Sequence, residues 1–189
     1  MANIVLASAS PRRQALLRQI GITDFQIRVP HAEETFPQGL TPQQAVSHIS
    51  RVKSEAVASA PEEIVITADT LVFLEGRLLG KPAGEADALE MLTALQGRRH
   101  TVCTGVTVRQ EARLVTECES THVYFRSLTE AEILAYIRTG EPMDKAGGYG
   151  IQGLGALLVE RIEGDYSNAI GLPLLRLSQM LERFGVHLL

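Results

Sequence analysis

Two hydroxyl groups and two guanidinium groups are closely spaced where a short apolar run gives way to a predicted helix. Ser8 and Ser10 precede Pro11, and Arg12 and Arg13 follow it. Ser10 is predicted to cap the helix, and proline suits its first position because an N–H there would be unpaired anyway. Arginine is unusual in the first turn, where each cation costs about 0.3–1 kcal/mol against the helix dipole. The cluster is typical of a polyanion-binding site, although a solvated basic loop would have the same composition.

Carboxylates that could act on such an anion occur at two places. Glu33 and Glu34 are adjacent acids after a predicted strand, and their mutual repulsion would suit a nearby cation, although a solvated pair is the simpler interpretation. Asp69 follows the apolar run 64–68, which is typical of a central strand covered on both faces. We place Asp69 at the carboxyl end of that strand, where ligands of open α/β sheets bind. Because a buried, unpaired carboxylate is costly, we expect it to have a cation, a metal or a catalytic task; a capping role is the alternative.

Two lysines are candidates for phosphate contacts. Lys53 falls within the apolar stripe of a helix predicted over 42–58, so its side chain either snorkels to solvent or points into a polar cleft. Lys81 lies in a Gly-Lys-Pro bend after a short strand, which holds it more rigidly than the surface of a helix would.

A glycine-rich stretch over 144–155 contains Lys145 and Gln152. Its glycines allow the backbone to approach a ligand closely, and an amide such as that of Gln152 can read a base edge as donor and acceptor. The stretch includes a G-x-G-x-x-G run at 148–153. We do not interpret it as a dinucleotide fingerprint, which needs a strand before it and a helix after it, because a strand-like run at 156–159 follows.

The elements that must position these groups are strands and helices in alternation. Strands are predicted at 4–7, 25–29, 64–74, 78–79, 101–109, 114–125 and 156–159. Helices are predicted from 11, over 42–58 and 85–96, from 130 to 140, and over 172–184 with Asn168 as a cap. The strands 101–109 and 114–125 are expected to form an antiparallel hairpin.

Composition limits the function classes. The 189 residues are 45% hydrophobic and 21% charged, which suits one domain with a substantial core or two small lobes that share a cleft. A net charge of -4 argues against a nucleic-acid or membrane-surface binder. Cys103 and Cys118 are far apart and are expected to be reduced thiols. No signal peptide or membrane span is apparent, so we expect a compact cytosolic protein; a homodimer is left open.

Several cations with a few carboxylates are what hydrolysis of a nucleotide polyphosphate requires. The cations would hold phosphate oxygens, while the carboxylates would hold Mg²⁺ or Mn²⁺ and activate water. No Walker A loop, G-x-S-x-G elbow or H-E-x-x-H motif is present. A non-enzymatic nucleotide sensor that regulates cell division is the alternative, but pure binding does not need a carboxylate beside phosphates.

Six motifs resemble, in order, those of the Maf family, nucleoside triphosphate pyrophosphatases also called septum formation inhibitors. They are LASASPRR (6–13), ADT (68–70), GKP (80–82), DKAG (144–147), YGIQG (149–153) and ERIEGDYSNAIGLP (160–173). The resemblance implies an α/β fold over 1–189, with a two-lobed mixed β-sheet flanked by helices, like inosine-triphosphate pyrophosphatases, and an active-site cleft between the lobes. It also implies hydrolysis to a nucleoside monophosphate and pyrophosphate, with a role in removing modified pyrimidine nucleotides or in arresting cell division.

The resemblance assigns roles residue by residue. Asp69 is the expected proton acceptor, and Glu34 is the expected metal or water ligand, with Asp69 as a second metal ligand. His31 stands where some relatives carry a further acid, so no metal ligand is expected there. The groups expected to hold phosphates are Ser8, Ser10, Arg13, Lys53, Lys81 and Lys145. The positions that match a subfamily acting on dTTP and UTP are Arg12, Thr70 and Gln152.

Overall fold

The computed structural model describes residues 3–189, and their seven strands form one mixed sheet. The strands are β1 (Asn3–Leu6), β2 (Phe25–Ile27), β3 (Glu63–Leu74), β4 (Arg77–Leu79), β5 (Arg99–Gln110), β6 (Arg113–Phe125) and β7 (Val159–Glu163). Their order is β2-β1-β3-β5-β6-β7, with β4 paired to β3. β1 pairs parallel with β2 and β3, whereas β4 and β7 pair antiparallel with their neighbours. The expected mixed α/β sheet is confirmed.

Helices connect these strands. They are α1 (Pro11–Gln19), α2 (Pro42–Glu55), α3 (Glu85–Leu95), α4 (Glu130–Ile137), α5 (Tyr166–Ile170) and α6 (Leu174–Glu182). α2 and α4 each begin with a capping box, in which Thr41 and Thr129 exchange hydrogen bonds with the residue three positions later. None of the helices within residues 3–189 has the length and apolarity needed to cross a bilayer.

The central strand β3 carries Asp69 in its interior. β1 pairs with β3 as far as Leu6 opposite Ile66, and the N–H of Ala7 still donates to the Ile66 carbonyl at 2.8 Å. β3 nevertheless continues to Leu74, so the prediction that Asp69 ends a strand is wrong. It lies instead just past the point where the shorter parallel strand β1 stops, so this charged residue of β3 comes after the last pairing with β1.

The chain divides into two compact units, and the strands β3, β5 and β6 contribute residues to both. Unit 1 comprises residues 1–69, 104–119 and 171–189, of which the first two are not described. Unit 2 comprises residues 70–103 and 120–170. A single domain with a shared cleft stays a prediction.

Two local predictions near the carboxyl terminus are wrong. The run 156–158 is not strand, because a 3₁₀ turn covers Gly153–Leu157 and β7 starts at Val159. Asn168 does not cap the last helix. Its side chain is buried in α5 and donates to the Val102 carbonyl at 3.0 Å and to Thr121 Oγ1 at 2.9 Å, while Pro173 precedes α6. A buried amide must have hydrogen-bond partners, and Asn168 finds them in the strands β5 and β6 and not at the start of a helix.

A buried histidine organises the aromatic part of the core in unit 2. His100 is 2% exposed, and its Nε2 lies 2.6 Å from the Tyr149 hydroxyl. Phe125 packs edge-on against both rings. The Nδ1 atom of His100 has no hydrogen-bond partner among the described residues. Burial lowers the pKa of His100 to about 3, so the ring is neutral in the folded protein at neutral pH.

This histidine should make the protein sensitive to acid. Since the pKa is lowered on folding, the unfolded chain takes up a proton below about pH 6.5 that the folded chain does not. The free energy of unfolding is therefore unaffected by this group above that pH, and it falls by about 1.4 kcal/mol for each pH unit below it. Urea unfolding measures the free energy of unfolding at pH 7 and at pH 5. Its decrease between the two should be about 2 kcal/mol smaller in His100→Asn than in the unmodified protein.

The matched control is His187→Asn, which removes an exposed histidine. Its pH dependence should follow that of the unmodified protein. Equal losses between pH 7 and pH 5 in the unmodified protein and in His100→Asn would show that the buried ring does not titrate as described.

Candidate active site

The start of α1 brings together the hydroxyl and guanidinium groups that the sequence predicts to bind an anion. Ser10 is the helix cap, and its Oγ accepts a hydrogen bond from the Arg13 backbone N–H at 3.5 Å. Ser8 is buried, and its Oγ accepts from the Ser10 N–H at 3.2 Å and from Arg13 Nη1 at 3.3 Å. Arg12 lies beside them in the first turn and is half-buried. The predicted cap is confirmed, and Ser8 and Arg13 are in direct contact.

Arg13 is held by a residue that the sequence analysis missed. Its Nε donates to the Gly171 carbonyl at 2.8 Å, although 158 positions separate the two residues. Desolvation lowers the pKa of Arg13, the charge of Asp69 opposes this shift, Arg12 adds to it and Glu34 opposes it. The guanidinium therefore senses both carboxylates of the candidate site, and it stays charged at neutral pH. The motif 160–173, which ends just beyond Gly171, was the only available signal.

Lys53 joins two of the acids that the sequence analysis singled out. Its Nζ lies 2.6 Å from Asp69 Oδ1 and 2.8 Å from Glu34 Oε1. The side chains of Lys53 and Asp69 are 9% and 7% exposed, whereas that of Glu34 is 59% exposed. Of the two alternatives for Lys53, the inward one is therefore observed. An ion pair this well buried gains from a low dielectric only because its hydrogen-bond geometry is good.

The second oxygen of Asp69 has no protein partner. Asp69 Oδ2 is buried, and no hydrogen bond reaches it from any of the residues 3–189. An unsatisfied buried acceptor costs about 1–3 kcal/mol. Such a cost at a site that already contains a hydroxyl cluster and two cations indicates a group reserved for a ligand, a cation or a proton.

Close packing against β5 fixes α2, and with it Lys53. A Cβ at Gly105 would lie 2.3 Å from the Val46 carbonyl oxygen, so only glycine allows the helix backbone to come this near. A row of buried hydroxyls continues the contact. Ser50 Oγ lies 3.0 Å from Thr107 Oγ1, and Thr67 Oγ1 donates to the Ser50 carbonyl at 2.7 Å. These contacts fix how close α2 lies to the sheet, and therefore how deeply the Lys53 side chain is buried.

The remaining predicted site residues belong to unit 2. Thr70 is half-buried and directly follows Asp69 in β3. Lys81 and Gln152 are exposed. Lys145 Nζ donates to Asp144 Oδ1 and to the Glu141 carbonyl, each at 2.6 Å.

The bend that carries Lys81 is fixed to the glycine-rich stretch. The Gly147 N–H donates to the Gly80 carbonyl at 2.9 Å. Gly147 has a φ of 72°, and a Cβ there would lie 3.0 Å from the Val72 side chain, so its identity is constrained by both conformation and space. The motifs 80–82 and 144–147 are therefore in direct contact, which the sequence alone did not indicate.

The fold and the candidate site define a class of protein: an α/β protein in which a cluster of hydroxyl and guanidinium groups lies in the same unit as a buried lysine–carboxylate pair. The structure is similar to one titled "Structure of a HAM1 protein from Coxiella burnetii", with a TM-score of 0.50 and 14% sequence identity. The match covers 97% of this chain and 100% of that chain. At this identity the likeness concerns the fold alone.

Sequence comparison identifies the family. Residues 3–184 match the family described as "Maf-like protein", and the chain belongs to the Maf family. A relative from Pelotomaculum thermopropionicum is 50% identical over 192 residues that cover both chains fully, and one from Moorella thermoacetica is 50% identical over 98% of this chain and 97% of its own length. Each of these relatives bears the name "dTTP/UTP pyrophosphatase". The resemblance inferred from the motifs is confirmed.

The contact between Gly105 and α2 can be tested by adding one methyl group. Gly105→Ala would force the added carbon against the backbone of Val46, and overpacking of this kind costs about 1–3 kcal/mol. Urea unfolding should show that loss. The matched control is Gly80→Ala, where no atom lies within 4 Å of the added carbon and the free energy of unfolding should stay within about 0.5 kcal/mol. Equal stability of the two variants would contradict the close approach.

Proposed function

We propose that the protein is a nucleoside triphosphate diphosphatase that hydrolyses dTTP and UTP to the nucleoside monophosphate and pyrophosphate. The names of its full-length relatives support the reaction class and these substrates. The observation that carries the proposal is the placement of Lys53, Asp69 and Glu34 in the same unit as the Ser8–Arg13 anion site. Phosphate-binding cations beside an acceptor carboxylate are the minimum that such a hydrolysis needs.

The phosphates are held by the start of α1. The Ser8 and Ser10 hydroxyls and the Arg13 guanidinium lie together at a helix N-terminus, where the helix dipole favours an anion. The hydrogen bond from Arg13 to Gly171 fixes one edge of the guanidinium and leaves its orientation defined. By the family resemblance, Lys81 and Lys145 are further phosphate ligands.

Asp69 activates the attacking water. In the proposed step, a water oxygen forms a bond to the α-phosphorus while one of its protons passes to Asp69 Oδ2, and the bond from the α-phosphorus to the bridging oxygen breaks. Pyrophosphate leaves with that oxygen. Oδ2 suits the task because Lys53 occupies the other oxygen and none of the described residues occupies this one. A positioned general base is worth about 10²–10⁴ in rate.

A divalent cation, Mg²⁺ or Mn²⁺, belongs to the proposal. Among residues 3–189, no three His, Cys, Asp or Glu side chains form a group that could hold a metal ion. Two carboxylates, Glu34 and Asp69, do lie within reach of one ammonium, and both supply hard oxygen donors. Mg²⁺ commonly takes one or two carboxylates and completes its shell with phosphates and water, so these residues fit. When bound, the cation would neutralise charge that develops on the phosphates.

Base selection is assigned to Arg12, Thr70 and Gln152. Uracil and thymine offer two carbonyl acceptors on either side of an N3–H donor. The Gln152 amide provides both a donor and an acceptor, whereas Arg12 provides donors only. Cytosine presents an amino group and an unprotonated N3, so the same groups would face partners of the wrong kind. The thymine methyl adds only apolar bulk, and 5-methyl-UTP should therefore be accepted as well.

Pyrophosphate release from a panel of nucleoside triphosphates tests the proposal. With Mg²⁺, kcat/KM for dTTP, UTP and 5-methyl-UTP should exceed that for CTP, ATP and GTP by about 10²-fold or more, since unpaired polar groups in the site penalise the wrong base. Gln152→Glu should reduce this preference. Gln179→Glu, the same change on an exposed residue of α6, should leave it intact. Comparable turnover of GTP would contradict the base assignment, and nucleotide binding without pyrophosphate release would favour a sensor.

A further inference from the structure

The glycine loop 150–155 is held by a carboxylate to which the family resemblance assigns no role. Glu141 Oε2 accepts the Leu154 N–H at 3.0 Å, and Glu141 Oε1 accepts the Gly155 N–H at 2.9 Å. Both oxygens of one side chain therefore bind backbone N–H groups of the same loop. A surface glutamate in a turn would normally be solvated, so this use of both oxygens is specific.

Tyr136 closes the other end of the loop. Its hydroxyl donates to Glu141 Oε1 at 2.9 Å and accepts the Gly150 N–H at 3.3 Å. The ring is buried in the core of unit 2, and this packing fixes the position of the hydroxyl. Glu141 and Tyr136 together hold the loop at 150 and at 154–155, on both sides of Gln152.

The glycines of the loop are the residues that make this arrangement possible. A Cβ at Gly153 would lie 2.8 Å from Glu141 Oε2, and the φ of Gly153 is 70°. A Cβ at Gly155 would lie 2.1 Å from the Gly150 carbonyl and 2.8 Å from the Tyr136 hydroxyl. The loop is therefore folded tightly onto the carboxylate, and a larger residue at Gly153 or Gly155 would push the loop away from Glu141.

The electrostatics of Glu141 agree with this geometry. Partial burial by itself raises the pKa of Glu141, but hydrogen bonds from Gly155, Leu154 and Tyr136 and the charge of Lys145 outweigh it, so the pKa lies below its usual value. The carboxylate is thus ionised at neutral pH and is the acceptor in all three of these hydrogen bonds.

We propose that Glu141 is a positioning residue for base selection, whose carboxylate fixes the loop so that Gln152 presents its amide in one orientation. The inference rests on the proposed function, in which Gln152 reads the base. Glu141 itself is not expected to touch the reacting phosphates. Its loss should therefore alter the choice among bases far more than the rate with any one good substrate.

Hydrogen exchange tests the structural half of the inference without reference to activity. In Glu141→Gln, an amide NH₂ replaces one acceptor oxygen and faces an N–H or O–H donor, so exchange at Leu154 and Gly155 should accelerate about tenfold or more. Glu130→Gln makes the same change at an exposed position of α4 and should leave both amides protected. Unchanged exchange in a folded Glu141→Gln protein would overturn the inference.

A double-mutant cycle tests the functional half. The measured quantity is the ratio of kcat/KM for dTTP to that for CTP. Glu141→Gln should lower this ratio about tenfold or more in the unmodified background and leave it unchanged in Gln152→Ala, because the residue acts only through the loop amide. The inference would be overturned if Glu141→Gln lowered this ratio equally in the unmodified protein and in Gln152→Ala. It would also be overturned if Glu141→Gln left the ratio of the unmodified protein unchanged.

Tyr136→Phe provides a second variant if Glu141→Gln fails to fold. It removes one hydroxyl and keeps the buried ring, so faster exchange at Gly150 with a lower dTTP-to-CTP ratio is expected. Measurements on the unmodified protein distinguish failure of the proposed function from failure of the role of Glu141. A lack of pyrophosphate release or of base preference there refutes the proposed function, whereas the exchange result at Leu154 and Gly155 still decides whether Glu141 holds the loop.

Discussion

A buried ammonium group between two carboxylates is the interaction on which the rest of unit 1 depends. Lys53 and Asp69 are both nearly inaccessible to solvent, so each would be destabilising without the other. Removing one partner of such a pair costs about 3–5 kcal/mol, because the remaining charge stays desolvated. Glu34 is largely exposed, so its ion pair with Lys53 adds little to stability. The pair holds Asp69 in one orientation and directs its second oxygen away from the ammonium.

The surrounding structure makes this charge arrangement possible. α2 can bring a lysine against β3 only because Gly105 lets the helix backbone approach β5. The buried polar groups of this contact are paired, since the Ser50 and Thr107 hydroxyls bond to each other and the Thr67 hydroxyl donates to the Ser50 carbonyl. The end of β1 at Leu6 gives α1 its starting point beside the same stretch of β3. The hydroxyl–guanidinium cluster and Asp69 both follow from the early end of β1. The chain turns into α1 after this strand, and β3 continues beyond it.

The fold class and much of the site could be predicted because their signals are local. The Ser10 cap, the apolar stripe that contains Lys53 and the apolar run before Asp69 each follow from periodicity or helix-end chemistry. The Arg13–Gly171 contact could not be predicted, since the motif 160–173 includes Gly171 but does not indicate which side chain, 158 positions away, its carbonyl binds. Gly105 was missed because close helix–strand packing does not change periodicity. Glu141 was missed because an acid in a turn is usually solvated.

Single-turnover hydrolysis of dTTP by Asp69→Asn tests the central claim most directly. With enzyme in excess, the rate of dTMP formation should fall by about 10²–10⁴ relative to the unmodified protein, because the amide cannot take the proton from water. Binding of dTTP should be retained or tightened, since a negative charge near the phosphates is removed. Asp24→Asn, the same change at an exposed position, should match the unmodified rate. A near-normal rate in a folded Asp69→Asn protein would contradict the account.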